Sequence, residues 1–112
     1  MKIRFWKIIR INEDGSIRLI YNGTSTTATG ANVTIGNSTF NTNYNDNAYV
    51  GYMYGATGAS TYDATHANTN NSTIKDAIDA WYASNMTAYT SKLEDTIWCN
   101  DRSLSTVSSG TG

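Results

Sequence analysis

The side chains best suited to catalysis are scarce in this chain. His66 is the only histidine and Cys99 the only cysteine, so the three or four His and Cys ligands of a zinc site cannot be assembled. No Gly-x-Ser-x-Gly sequence is present to hold a serine on a sharp exposed turn. The two glutamates, Glu13 and Glu94, lie far apart in the sequence, which disfavours a Glu-based acid and base pair. We therefore predict no catalytic residues, no metal and no cofactor.

A tyrosine-rich segment provides the candidate ligand-binding residues instead. If residues 50–54 are extended, Tyr52 and Tyr54 lie on one side with Val50 beside them. Tyrosine combined with Asn, Ser and Gly is typical of adaptable binding surfaces. The alternative is a loop-rich layer whose tyrosines pack on the core with their hydroxyl groups in water. The candidate ligand-binding residues are Asp46, Tyr49, Tyr52 and Tyr54.

The composition indicates one small domain with a polar character. Of the 112 residues, 17 are Thr, 13 Asn and 11 Ser, whereas 8 Tyr and 3 Trp are available for a core. The net charge of -1 does not favour binding to nucleic acid or to an anionic bilayer. No apolar run approaches the roughly 18–20 residues that cross a membrane. We predict a single α+β domain over residues 1–103, followed by a flexible tail over residues 104–112.

The strongest local signal is an antiparallel β-hairpin near the start of the chain. Residues 5–11 and 17–21 are rich in β-branched and aromatic side chains. Between them lies Asn-Glu-Asp-Gly at residues 12–15, and an Asp-Gly pair in a short loop favours a hairpin because glycine accepts a positive φ.

Alternation along the first strand predicts a hairpin with two partly apolar faces. It places Trp6 and Ile8 on one face and Phe5, Ile9 and Ile11 on the other. Two strands alone are only marginally stable in water, so we expect this hairpin to need partners.

Residues 22–72 form an Asn-, Thr- and Tyr-rich middle that reads mainly as loops, with one short strand over residues 33–40. A helix over residues 73–83 follows, capped by Ser72 or Thr73. Its apolar residues recur at helical spacing and predict one buried stripe: Ile74, Ala77, Ile78 and Trp81.

A second helix is predicted over residues 87–97, with Tyr89, Leu93 and Ile97 facing inward. Trp81 and Trp98 are interpreted as core anchors rather than cofactor contacts. Cys99 is interpreted as half of a disulfide or as a buried thiol.

Four segments, in this order, resemble an uncharacterised extracellular module of surface and pilin-like proteins of gut Firmicutes. They are residues 6–21 (WKIIRINEDGSIRLIY), 45–55 (NDNAYVGYMYG), 72–75 (STIK) with 81–82 (WY), and 98–103 (WCNDRS). The resemblance spans about residues 3–103. That module is similar to C-type-lectin-like and formylglycine-generating-enzyme-like folds.

The resemblance implies a non-enzymatic cell-surface or adhesion-type binding module, located at the cell surface or outside the cell, with a glycan or a protein as ligand. The alternatives are a structural subunit, such as a pilin-like or phage-tail-like component, and an unrecognised enzyme. No catalytic residues can be carried over.

The chain departs from the family's pattern in two respects. The family module continues beyond the segment at residues 98–103 with further strands and another cysteine, and its members carry a leader or an anchor. We therefore expect this chain to represent an incomplete C-type-lectin-like fold, which either reorganises or pairs with a second copy as a homodimer.

Overall fold

The computed structural model describes residues 2–94 and 96, and these form a small α+β fold. The predicted fold class is thus confirmed, whereas its likeness to C-type lectins stays a prediction. The fold divides into two compact units, Met1–Asn37 and Ser38–Gly112. The predicted domain end at residue 103, the tail, Trp98 and Cys99 lie outside the described residues. Among the described residues, no helix has the length and apolarity needed to cross a membrane.

The first unit contains the predicted hairpin, formed by strands β1 (Trp6–Ile11) and β2 (Ile17–Tyr21). Its turn is closed by the Asn12 N–H, which donates to the Ser16 carbonyl at 2.8 Å. The Asp14 carboxylate accepts from the Ser16 N–H at 2.9 Å and from the Ser16 hydroxyl at 2.7 Å. Gly15 has a φ of +85°, which explains the glycine at this position.

A β-bulge at Ile9 changes which side chains share a face of the hairpin. Ile8 pairs with Leu19 and Arg10 pairs with Arg18, so Ile9 is an extra residue on β1. The extra residue returns Ile11 to the side of Trp6 and Ile8, and the predicted placement of Ile11 on the opposite face is wrong. One side now carries only apolar and aromatic residues, here called the hairpin apolar face: Trp6, Ile8, Ile11, Ile17, Leu19 and Tyr21.

The backbone pairing of the hairpin continues beyond β1 and β2, and residues 28–32 approach Gly23. The Phe5 N–H donates to the Gly23 carbonyl at 2.9 Å. Gly23 is buried with a φ of +84°, and a Cβ there would lie 2.4 Å from the Asn32 carbonyl oxygen. A 3₁₀-helix follows at Gly30–Val33. No strand forms over residues 33–40, contrary to prediction, and Gly36 interrupts this segment with a φ of +152°.

The second unit is built around a short strand pair, β3 (Met53–Tyr54) with β4 (Asn70–Asn71), and helix α1 (Tyr62–Thr65) lies between them in the chain. The Gly55 N–H donates to the Thr65 carbonyl at 2.6 Å. A Cβ on Gly55 would lie 2.1 Å from the Ala64 carbonyl oxygen, so only glycine permits this approach.

The interior of this unit is small and partly polar. Among the described residues Ala48 is the one buried hydrophobic side chain, and Thr65 and Ser72 are fully buried. The Ser72 hydroxyl donates to the Tyr52 carbonyl at 2.8 Å and accepts from the Lys75 N–H at 3.2 Å. This serine therefore joins the tyrosine-rich segment to the helix that begins at Thr73.

Helix α2 (Thr73–Asn85) begins where the sequence predicts and is capped by Ser72, one of the two predicted caps. It extends two residues beyond the predicted end. The predicted buried stripe is only partly present: Ile74, Ile78 and Trp81 are half-buried and Ala77 is exposed. Because the interior is small, little surface is available to cover this face.

The second predicted helix is a shorter 3₁₀-helix, Thr87–Lys92. Met86 provides no side-chain cap, and Tyr89 and Leu93 are about half exposed rather than inward-facing. A short, uncapped segment without a packing surface has little to stabilise an α-helix. Ile97 lies outside the described residues.

Candidate functional site

Asp46 is held by the backbone around it. One carboxylate oxygen accepts from the Ala48 N–H at 2.9 Å and caps the 3₁₀-helix Asn47–Val50. The other oxygen accepts a short hydrogen bond from the Gly58 N–H. Both oxygens are therefore engaged within the protein, and Asp46 positions two loops relative to each other.

Tyr49 and Tyr54, two of the predicted ligand-binding residues, contact each other. Their rings meet edge to face, with centroids 5.2 Å apart and planes at 72°. Tyr49 lies in the 3₁₀-helix and Tyr54 in β3. Both side chains are half-buried, so this pair connects the surface of the unit with its interior.

Tyr52 lies beside helix α2. Its ring centroid is 5.8 Å from the Lys75 ammonium, which forms a 2.5 Å salt bridge with Asp79. Partial burial, and secondarily the Asp79 carboxylate, raises the pKa of the Tyr52 phenol above its ordinary value of 10.0. The hydrogen bond to Asp79 raises the pKa of Lys75. At neutral pH this neighbourhood is therefore a neutral phenol next to an ion pair.

An open cleft of about 490 Å³ lies on this unit. It contains Asp46 and Tyr49 of the four predicted residues, whereas Tyr52 and Tyr54 do not line it. Its lining consists mainly of aromatic and amide side chains, namely Phe40, Asn41, Asn43, Tyr44, Asn45, Asp46, Tyr49 and Val50.

Two exposed aromatic residues of this lining were not among the predicted site residues. Tyr44 is 78% exposed and Phe40 is 48% exposed. Tyr44 stands between two asparagines at residues 43 and 45, which is the only sequence signal that could have identified it. Nothing in the local sequence links Phe40 to the tyrosine-rich segment.

The start of helix α2 fixes the edge of the cleft. The Ile74 N–H donates to the Phe40 carbonyl at 3.0 Å, and the Thr42 N–H donates to the Thr73 hydroxyl at 3.0 Å. That hydroxyl lies 3.4 Å from Oδ1 of Asn41. Nδ2 of Asn41 is shielded and has no hydrogen-bond partner among the described residues. The first turn of α2 thus orders residues 40–42, of which Phe40 and Asn41 line the cleft.

His66, the only histidine, lies at the C-terminal end of α1. Its ring stacks on Tyr62 with centroids 4.2 Å apart, and its Nδ1 lies 3.0 Å from the Tyr62 carbonyl oxygen. Within the described part of the chain, no group of three or more His, Cys, Asp or Glu residues is placed to hold a metal ion. The local contacts of His66 account for its position without a ligand.

Comparisons with protein-family models, with curated proteins and with solved structures found no match to this chain.

Proposed function

We propose that this protein is a non-enzymatic binding module that holds a neutral glycan in the cleft formed by residues 40–50. The observation that carries the proposal is an aromatic surface left open to solvent beside amide groups: Tyr44 and Phe40 are exposed, and Asn43 and Asn45 lie next to them. Apolar surface that is both exposed and contiguous is a common feature of ligand-binding grooves.

The chemistry of the lining favours a sugar over a charged ligand. The faces of aromatic rings are electron-rich and attract the weakly positive C–H groups of a sugar ring. Asparagine amides both donate and accept hydrogen bonds, which suits sugar hydroxyl groups. Among the residues that the structure describes, no cationic side chain lines the cleft, and the Asp46 carboxylate is already bonded to two backbone N–H groups. The cleft thus offers little to an anion or to a cation.

The cell-surface location is also a proposal, and its support is the resemblance of residues 6–21 and 45–55 to an extracellular module. The second of these segments supplies four residues of the cleft lining: Asn45, Asp46, Tyr49 and Val50. A protein ligand for the same cleft is the alternative within this class.

The experiment is binding of the full chain to an array of neutral oligosaccharides, followed by titration of the best sugar. Tyr44→Ala removes the most exposed ring of the lining and is expected to weaken binding at least about tenfold, a typical effect of removing a well-packed aromatic contact. Tyr89→Ala is the matched control, since Tyr89 is 50% exposed and lies outside the lining.

Tyr52→Ala tests whether the ligand contacts the cleft alone or also Tyr52, a predicted site residue that does not line the cleft. If the cleft is the site, this variant binds within about twofold of the unaltered protein, because Tyr52 contacts α2 instead. Equal binding by the Tyr44→Ala variant, or no sugar bound at any concentration, contradicts the proposal.

A structural subunit is the second candidate, and the exposed hairpin apolar face favours it. If this face contacts a different surface of the next copy, rather than the same face, the contact does not close on itself and assembly continues into filaments. Electron microscopy of the concentrated protein tests this candidate: filaments support it, and particles of fixed small size contradict it.

A further inference from the structure

The hairpin apolar face is an exposed apolar surface of the first unit. Three cross-strand pairs point to the same side: Trp6 with Tyr21, Ile8 with Leu19, and Ile11 with Ile17. Apart from the half-buried Tyr21, these side chains are 36–71% exposed. Within the described residues the sheet contains two strands, β1 and β2. A contiguous apolar surface of this kind marks an interaction site.

The two sides of the hairpin differ sharply in charge. The opposite side carries Lys7, Arg10 and Arg18 together with Ile20. The hairpin apolar face holds no charged side chain, so two such faces can approach each other without placing like charges in contact. Charge repulsion therefore does not oppose contact between two copies of this face.

We infer that the hairpin apolar face binds the same face of a second copy, with a twofold axis relating the two hairpins. Sheets that pack face to face lie about 10 Å apart and interdigitate their inner side chains. Because the same patch is used on both copies, the interface is closed and assembly stops at a dimer. This inference is independent of the proposed glycan cleft.

The available area predicts a weak dimer. Six side chains at roughly half exposure offer on the order of 400 Å² per copy, or about 800 Å² for the pair. Stable specific interfaces bury about 1,200–2,000 Å², and transient ones bury less. The dimer therefore belongs to the transient class and forms only at elevated concentration.

A bilayer surface fits the face less well. Cations strengthen binding to anionic lipid when they lie close to the headgroups. Here Lys7, Arg10 and Arg18 lie on the opposite side of the sheet. A bilayer that contacts the apolar face would therefore have its headgroups about a Debye length from these charges. The charge distribution thus favours a second copy.

Sedimentation velocity of the full chain tests the inference, run with a reductant so that a Cys99 disulfide cannot be read as the interface. Between about 5 and about 500 µM, which spans weak affinities, the mean mass is expected to rise from one copy to two and no further. Ile8→Lys is expected to raise the dissociation constant at least about tenfold, since it places a charge at the centre of the interface.

Ile20→Lys is the matched control. Ile20 is 53% exposed and Ile8 is 58% exposed, and they lie on opposite sides of the same sheet. The control is expected to leave the dissociation constant within about twofold. Leu19→Lys provides a second interface variant, and circular dichroism verifies that each variant is folded.

Three results overturn the inference. The protein stays a monomer at every concentration, or it dimerises equally well with Ile8→Lys and Leu19→Lys, or it grows beyond two copies. Co-sedimentation of a monomeric protein with phosphatidylglycerol vesicles, lost in Ile8→Lys, would assign the face to a bilayer instead.

Discussion

At the residue scale, Asp46 shows how a candidate ligand-binding residue can serve the fold. Its carboxylate accepts from the N–H groups of Ala48, in the 3₁₀-helix Asn47–Val50, and of Gly58, in a turn further along the chain. A carboxylate that accepts backbone hydrogen bonds in this way fixes the geometry of the loops. The position of Tyr49 therefore depends on Asp46, whether or not the carboxylate touches a ligand.

Replacing this carboxylate tests its structural role. Asp46→Ala removes both hydrogen bonds, and the free energy of unfolding is expected to fall by about 1–3 kcal/mol. Urea unfolding measures the change. Asp63→Ala is the control, since Asp63 is exposed in the first turn of α1 and should alter stability far less. An unchanged midpoint in Asp46→Ala would contradict the role.

The hairpin turn has a predicted pH dependence. Hydrogen bonds from the Ser16 side chain and backbone lower the pKa of Asp14 below its ordinary value of 3.8. A lowered folded-state pKa means that this stabilisation is present above pH 3.8 and is lost as pH falls through the folded pKa. The Asp14 carboxyl shift, followed by NMR, should titrate below 3.8. Ser16→Ala should move the titration upward, and an unmoved titration would contradict the assignment.

At the element scale, Ser72 connects helix α2 with Tyr52, the residue immediately before β3. Ser72→Ala loses the helix cap and leaves the Tyr52 carbonyl with one hydrogen bond fewer. We expect a loss of about 1–2 kcal/mol in unfolding free energy, measured by thermal or urea unfolding. Ser84→Ala is the control, since the Ser84 hydroxyl bonds only within α2 at an exposed position. Equal effects of the two variants would contradict this assignment.

The elements that the sequence predicted are those with local signals. The hairpin follows from the Asp-Gly turn, and the start of α2 follows from a serine cap before an apolar stripe. The bulge at Ile9 has no local signal, because it arises from the pairing register, in which β1 has one residue more than β2 between paired positions. The short 3₁₀-helix at residues 87–92 reflects missing tertiary packing, which periodicity does not report.

Of the four residues proposed from the sequence, Asp46 and Tyr49 line the cleft, and Tyr52 and Tyr54 do not. The prediction from alternating side chains required an extended backbone around Val50. Residues 47–50 instead form a 3₁₀-helix, and Tyr49 lines the cleft whereas Tyr52 does not. Phe40 is held in the lining by a hydrogen bond from the Ile74 N–H to its carbonyl. That bond links positions 34 residues apart in the chain, and composition could not indicate it.

At the scale of the whole molecule, the net charge of -1 is the sum of a net positive first unit and a net negative second unit. Residues 1–37 hold five basic and two acidic side chains, and residues 38–112 hold three basic and seven acidic ones. The total charge therefore conceals the basic side of the hairpin. It also gives no indication that the described lining of the proposed glycan cleft contains no basic side chain.

NMR mapping of bound sugar on the whole protein tests whether the cleft is the glycan-binding site. A neutral oligosaccharide selected on the array is titrated into the isotope-labelled chain while backbone amide shifts are recorded. We expect saturable shifts concentrated at residues 40–50, and their loss in Tyr44→Ala. Shifts concentrated on β1 and β2, or no saturable shifts with any neutral sugar, would contradict it.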